Sequence, residues 1–218
     1  MITLVEENYL KAILAISLNT DDKISTNSIA DEIGTSAASV SDMLRKLQNK
    51  RLVRYEKYKG VTLSKIGAKK AINILRKHRL WETFLVKELE FNWGEVHEVA
   101  EQLEHIKSEK LVNRLDDFLN HPQFDPHGEP IPSKNGKIPK SNTIQLNEVT
   151  KGAKGHVMGV TLDEKTFLDY LTKLNISIGT KIEILEIINF DQSLSIKIEN
   201  KETHISHDVA KHLLIKTQ

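Results

Sequence analysis

The stretch "TNSIADEIGTSAASVSDMLR", residues 26–45, decides the fold. Ile29, Ala30, Ile33, Gly34, Val40 and Met43 occupy the apolar, small and turn positions of a helix-turn-helix: Ala30 lets two helices approach, and Gly34 accepts the positive φ of a tight turn. Ser25 or Thr26 can cap the first helix and Ser36 the second. The next stretch, "LVRYEKYKGVTLSKIG", predicts a strand from Leu52 to Glu56, a turn at "KYKG" and a strand from Val61 to Leu63, the wing of a winged helix. An ordinary helical hairpin would not continue in this way.

Charge supports a nucleic-acid partner. The net charge is only +1, but residues 45–79 carry thirteen Lys or Arg against one acid, Glu56, whereas residues 80–118 carry ten acids against four bases. One region therefore seeks anions and the next seeks cations. The exposed N-terminal positions of the second helix, Ala37, Ala38, Ser39, Ser41 and Asp42, are too short for many bidentate base contacts. Thr26 and Ser36 also belong to the expected DNA-facing set. Sequence readout should rest on van der Waals contact, water and DNA shape, with Arg45, Lys46, Arg51, Lys57 and Lys59 on phosphates.

Farther along, Glu88 to Ile106 holds six glutamates, two histidines and no lysine or arginine. At about 100° per residue, His97, Glu101, Glu104 and His105 would share one helical stripe. They could converge on a cation, or the glutamates could face water while Val96, Val99, Ala100 and Leu103 are buried. All five prolines fall between Pro122 and Pro139, which reads as a linker or an extended wrap. Beyond it, "TKIEILEI" and "SLSIKIE" alternate as strands do.

The chain has no cysteine, so it has no disulfide, thiolate metal site or cysteine nucleophile. Any metal is held by nitrogen and oxygen, which favours harder ions. No apolar run reaches membrane-span length and no secretory leader is read, so a cytoplasmic protein without a membrane partner is expected.

With these motifs in place the sequence resembles the diphtheria-toxin-repressor-like (DtxR/MntR) metal-dependent regulators over essentially its whole length. The winged helix, "KHRLWETFL" at 77–85, "WGEVHEVAEQLEHI" at 93–106, "RLDDFL" and "HPQFDPHGEPIP" at 121–132 carry the likeness. It implies a mainly α protein with a small β domain: a winged helix-turn-helix at 1–72, a helical metal-binding and dimerisation domain with the Pro-rich linker at 73–140, and an SH3-like β-barrel of the FeoA type at 141–218.

The resemblance further implies a homodimer that represses metal-homeostasis genes by binding double-stranded DNA, at an interrupted palindrome, when metal is bound. One metal site per subunit would map to His78, Glu82 and His97, with Asp163, or Glu164 as its alternative, from the C-terminal domain. The other would map to Glu101, Glu104, His105 and Asn8. Glu101 stands where iron-type members have cysteine and Asn8 where they have methionine, so oxygen replaces soft ligands and Mn(II) is favoured over Fe(II). Manganese-type members usually have aspartate at the Asn8 position, and smaller ones glutamate at Lys11. Asn8 either lends a carbonyl oxygen or caps the first helix. His121, His127, His204, His207 and His212 read as surface or linker residues.

Two rivals belong to other classes. A metalloenzyme reading of "EQLEH" as the inverted zinc motif HxxEH fails because Glu101 stands where the first histidine is needed. A winged-helix regulator sensing Zn(II) or an organic ligand is the other.

Overall fold

The structure, a computed structural model, describes residues 2–20, 23–56, 59–140, 142–162 and 164–217. It resolves into two compact units, Met1–His78 with Gln102–Asn113 and Pro132–Lys137, and Arg79–Glu101 with Arg114–Ile131 and Ile138–Gln218.

In the first unit, α1 (Leu4–Asn19) begins at a capping box: the Thr3 hydroxyl accepts the Glu6 N–H, and the Glu6 carboxylate accepts the Thr3 N–H. Helices α2 (Thr26–Ile33) and α3 (Ala37–Asn49) are started by Ser25 and Ser36, as the sequence predicts. Gly34 ends α2 at φ 72°, a left-handed position that glycine adopts without strain, and its N–H bonds the Ala30 carbonyl. Ile29, Val40, Leu44 and Leu47 are buried against Leu10 and Ile13 of α1. The wing forms from β1 (Val53–Glu56) and β2 (Gly60–Leu63), paired antiparallel with Val53 opposite Leu63. Lys57 and Tyr58 of its turn lie outside the described residues.

The helices α4 (Lys65–Leu89), α5 (Val96–Leu103) and α6 (Glu109–Phe118) follow. α5 ends at Leu103, where the Ile106 N–H bonds the Leu103 carbonyl in a turn. The expected single stripe is therefore broken. His97 and Glu101 project from the helix, whereas Glu104 and His105 leave it on a turn that buries Glu104.

The second unit contains a six-stranded antiparallel sheet in the order β3 (Ile144–Gln145), β8 (Leu213–Thr217), β4 (Lys154–Val160), β5 (Lys181–Ile187), β6 (Leu194–Ile198), β7 (Lys201–Ile205). The alternation of "KIEILEI" is realised with Ile182 and Ile184 inward. Two short helices, α7 (Lys165–Lys173) and α8 (His207–Lys211), accompany the sheet, and Leu168, Leu171 and Ala210 join its core. The architecture is thus the expected winged helix, helical segment and small β domain.

The Pro-rich segment departs from a solvated linker. At "DPHG" the Asp125 carboxylate accepts the N–H groups of His127 (2.8 Å) and Glu129 (3.0 Å), and the Gly128 N–H bonds the Asp125 carbonyl. Asp, Pro and Gly at the first, second and fourth positions are what a type I turn selects. Gly128, at φ +83°, lies so close to β4 that an added Cβ would sit 1.8 Å from the Met158 carbonyl oxygen. The His127 carbonyl also accepts the Val160 N–H. Asp125, His127, Gly128 and Ile131 are buried in consequence. His127 is thus a core residue rather than the surface or linker residue expected, because glycine permits close approach and the turn's own hydrogen bonds satisfy its backbone.

Candidate metal centre and nucleic-acid interface

Among the described residues, imidazole and carboxylate groups cluster within each unit. In the first, Glu104 is fully buried, and one of its oxygens, Oε2, receives the His78 Nδ1–H at 2.7 Å and the Lys11 ammonium at 2.7 Å. Its other oxygen, Oε1, makes no hydrogen bond among the described residues and lies 3.9 Å from His105 Nε2. Burial opposes ionisation of Glu104, but the His78 hydrogen bond and the Lys11 charge prevail and hold its pKa below the usual carboxylate value. His105 Nδ1 donates to Glu7 Oε2 at 2.6 Å.

Asn8 lies in the second turn of α1, whose cap is Thr3, so it does not cap the helix. Its Oδ1 is buried and has no hydrogen-bond partner among the described residues. A buried carbonyl left unpaired costs about 1–3 kcal/mol, so this oxygen is suited to a ligand. Burial also lowers the pKa of Lys77, against the opposing pull of Glu7 and Glu104.

In the second unit, Glu82 is 1% exposed, with His97 Nδ1 3.4 Å from Oε1 and His127 Nδ1 3.6 Å from Oε2. Glu82, Asp125 and His127 each place a ligand atom within 4.8 Å of the others. The His127 Nε2–H donates to the Trp93 carbonyl at 2.8 Å, which aims Nδ1 at Glu82. The Trp93 and His127 rings stack 6.3 Å apart, and Trp93 Nε1–H bonds Thr172 of α7. Burial opposes a charge on His127, but the Glu82 and Asp125 carboxylates raise its pKa to about 9. Asp125 is raised to about 7 by burial and then by the Glu82 and Glu129 carboxylates, against Arg79 and His127. Arg79 is itself fixed by Glu129 (2.7 Å) and the Pro130 carbonyl (2.6 Å).

Of the residues expected to hold metal, His78, Glu104 and His105 enter the first cluster, with Asn8 supplying an unpaired oxygen. Glu82 and His97 enter the second, where Glu101 lies 3.6 Å from His97 Nε2. Asp163 lies outside the described residues, and Glu164 is exposed at the start of α7. Asp125 and His127 are not among the residues expected to hold metal, although the "DPHG" turn is a local signal, and the pairing of Lys11 with Glu104 is likewise not expected from the sequence.

The DNA-facing set is largely on the surface. Ser36, Ala38, Ser39, Asp42, Arg45, Lys46, Arg51 and Lys59 are exposed, Thr26 and Ser41 are half-buried, and Lys57 lies outside the described residues. The Ser36 hydroxyl caps α3 and Ser41 Oγ donates to the Ala37 carbonyl, so both are engaged locally. Arg45 pairs with Asp42 and Lys59 with Glu56 at 2.8 Å, but these exposed pairs are weak and leave both cations able to take phosphate. At the other end of α3, Lys50 pairs with the buried Glu6 of α1 at 2.7 Å.

The chain is similar to known proteins along its length. The model of the iron-dependent repressor N-terminal DNA-binding domain matches residues 1–61, that of the iron-dependent repressor metal-binding and dimerisation domain residues 64–133, and that of the FeoA domain residues 144–217. A "Manganese-dependent transcriptional repressor complex with manganese" superposes with TM-score 0.88 at 34% identity, over 98% of this chain and 100% of that one. The chain belongs to the diphtheria-toxin-repressor family of metal-dependent transcriptional regulators. The manganese regulator SloR is a further family relative of known structure, 35% identical with TM-score 0.77 over 98% of both chains. The iron-dependent repressor IdeR of Mycobacterium tuberculosis is 32% identical over 155 residues, 67% of each chain. A probable metal transport system membrane protein of Chlamydia trachomatis is 41% identical over 76 residues, only 17% of its own length. Among the described residues of this family member, no helix is long and apolar enough to cross a membrane.

Proposed function

We propose that the chain is a cytoplasmic, metal-activated repressor of metal-homeostasis genes, a homodimer rather than an enzyme, that binds an interrupted palindrome when divalent cation is bound. The observation that carries this reading is the set of contacts made by α1. Glu6 is tied to Lys50 at the end of α3, while Glu7 and Lys11 are tied to His105 and Glu104. One rigid helix thus links the recognition helix to the acidic cluster, and a change at Glu104 is felt where α3 is oriented. Metal acts as a switch to the extent that it binds one orientation better than the other.

Two sites per subunit fit the donors present. Asn8, Glu101, Glu104 and His105 would hold one ion, and the unpaired oxygens of Asn8 and Glu104 match that need. Glu82 and His97 would hold the other, with His78 one turn earlier on α4, with Asp125 and His127 in reach of Glu82, and with Asp163 or Glu164 as a further carboxylate. A bound ion supplies positive charge that lets these carboxylates converge. The oxygen and imidazole donors favour Mn(II), with Fe(II) the nearest competitor.

The test is operator binding by the purified full chain at fixed salt. Binding is expected to tighten at least about 100-fold on adding Mn(II) to chelated protein, which corresponds to about 2.7 kcal/mol. Equal affinity in chelator and in Mn(II) would exclude the switch, and a response to Zn(II) alone would favour the zinc-sensing alternative. Metal preference has its own check. Glu101→Cys is expected to move activation toward Fe(II), Co(II) or Zn(II), since thiolate is the softer donor. An unchanged activation profile would return Glu101 to the solvated face.

A further inference from the structure

The acidic cluster at the end of α5 carries its own cation. Glu104 is wholly buried, yet the groups on its Oε2 are a histidine and the Lys11 ammonium, each at 2.7 Å. The Lys11 side chain is only 13% exposed, so the ammonium is drawn out of water to reach this oxygen. A buried carboxylate without a partner is costly, and Lys11 removes that cost when no ion is present. Lys77, the other buried lysine here, donates instead to the Ile106 carbonyl at 3.4 Å, so the direct ammonium contact with Glu104 belongs to Lys11.

We propose that Lys11 is a tethered competitor of metal: its ammonium holds Glu104 in the metal-free protein and has to leave before a divalent ion can use that carboxylate. This rests on the metal-binding reading given above. A divalent cation taken by the unpaired Oε1 would stand only about a carboxylate's width from the ammonium on Oε2, and like charges that close repel strongly in a poorly solvated site. The flexible four-carbon stem and strong hydration of an ammonium allow Lys11 to swing into water. Lys11 thereby raises the metal concentration at which the switch operates. It also supplies, in the metal-free protein, positive charge at the buried Glu104 carboxylate. Asn8 adds to the same effect, since its uncharged oxygen gives an incoming ion little compensation for displacing a cation.

The rival account makes Lys11 a permanent support that orients Glu104 for the ion, as outer hydrogen bonds often do. The two accounts predict opposite signs. Mn(II) binding is measured on metal-free full-length protein without DNA, by the loss of the free-ion electron paramagnetic resonance signal, alongside thermal unfolding with and without Mn(II). For Lys11→Met, half-saturation of the weaker ion is expected at about tenfold lower Mn(II), the size of one charge-assisted hydrogen bond. The melting temperature should fall in the metal-free form and recover in the loaded form. Lys11→Arg, which keeps the charge, should bind Mn(II) much as the natural protein does. Should Lys11→Met not fold without metal, Lys11→Gln carries the same expectation with a neutral donor.

Unchanged or weaker Mn(II) binding in Lys11→Met and Lys11→Gln would overturn the proposal while leaving the metal switch intact. No Mn(II) uptake by the natural protein would overturn both.

Discussion

Glu104→Ala is expected to abolish the Mn(II) response of operator binding and to destabilise the metal-free protein by about 3 kcal/mol, the lower end for breaking a buried ion pair. The substitution removes a carboxylate with no exposed surface, together with the contacts that Lys11 and His78 make to it. Lys11 can relieve part of this loss by extending toward water, which keeps the cost at the lower end of that range. Urea unfolding in chelator reads the stability change, and operator titration at saturating Mn(II) reads the switch. Glu104→Gln separates the two: it keeps the side-chain volume and some hydrogen bonding, so it should cost less stability yet still lose the metal response. Retention of a full Mn(II) response in Glu104→Gln would remove Glu104 from the ligand set.

At the Glu82, Asp125 and His127 cluster, metal affinity is expected to rise steeply with pH. His127, raised to about 9, binds a proton across the neutral range, and Asp125, raised to about 7, binds one below neutrality. Charged His127 stabilises the metal-free protein fully below its unfolded pKa of roughly 6.5, and this is lost as pH rises through about 9. Asp125 is an acid whose folded pKa is raised, so its burial costs stability increasingly as pH rises toward about 7. An ion taking His127 Nδ1 must expel its proton, and below about 7 it must also expel that of Asp125. Between pH 7 and 8.5 the Mn(II) affinity of this site should therefore grow about tenfold per pH unit, and more steeply below pH 7.

His127→Gln should flatten the upper part of that profile. Anaerobic titration calorimetry in buffers of different ionisation enthalpy counts the protons released. If Mn(II) binding released none at pH 7.5, His127 and Asp125 would be structural partners of Glu82 and nothing more.

Much of the DNA-binding unit was legible because its determinants are local. Ser25 and Ser36 cap helices by hydrogen bonds to residues three positions on, and Gly34 takes a backbone conformation that depends on its lack of a Cβ. The alternation of "KIEILEI" sorts inward from outward residues within a single strand. Even the "DPHG" turn is written in consecutive residues, although its burial is not. Whether such a turn sits in water or in a core depends on the approach of Gly128 to β4 and on the ring of Trp93.

The acidic helix shows where local reading stops. Residue spacing placed His97, Glu101, Glu104 and His105 on one stripe, which holds only while the helix continues, and α5 ends at Leu103. From there the partners are set by chain segments far away: Lys11 lies 93 residues from Glu104, and Glu7 lies 98 from His105. The amino-acid sequence by itself determined the winged helix, the segregation of charge and the supply of nitrogen and oxygen donors, since each follows from composition or from neighbours a few residues apart. Only the tertiary structure decided that Lys11 answers Glu104 and that Asp125 and His127 face Glu82. A charge can be taken out of water only where packing brings its partner, and that packing is a property of the folded chain as a whole.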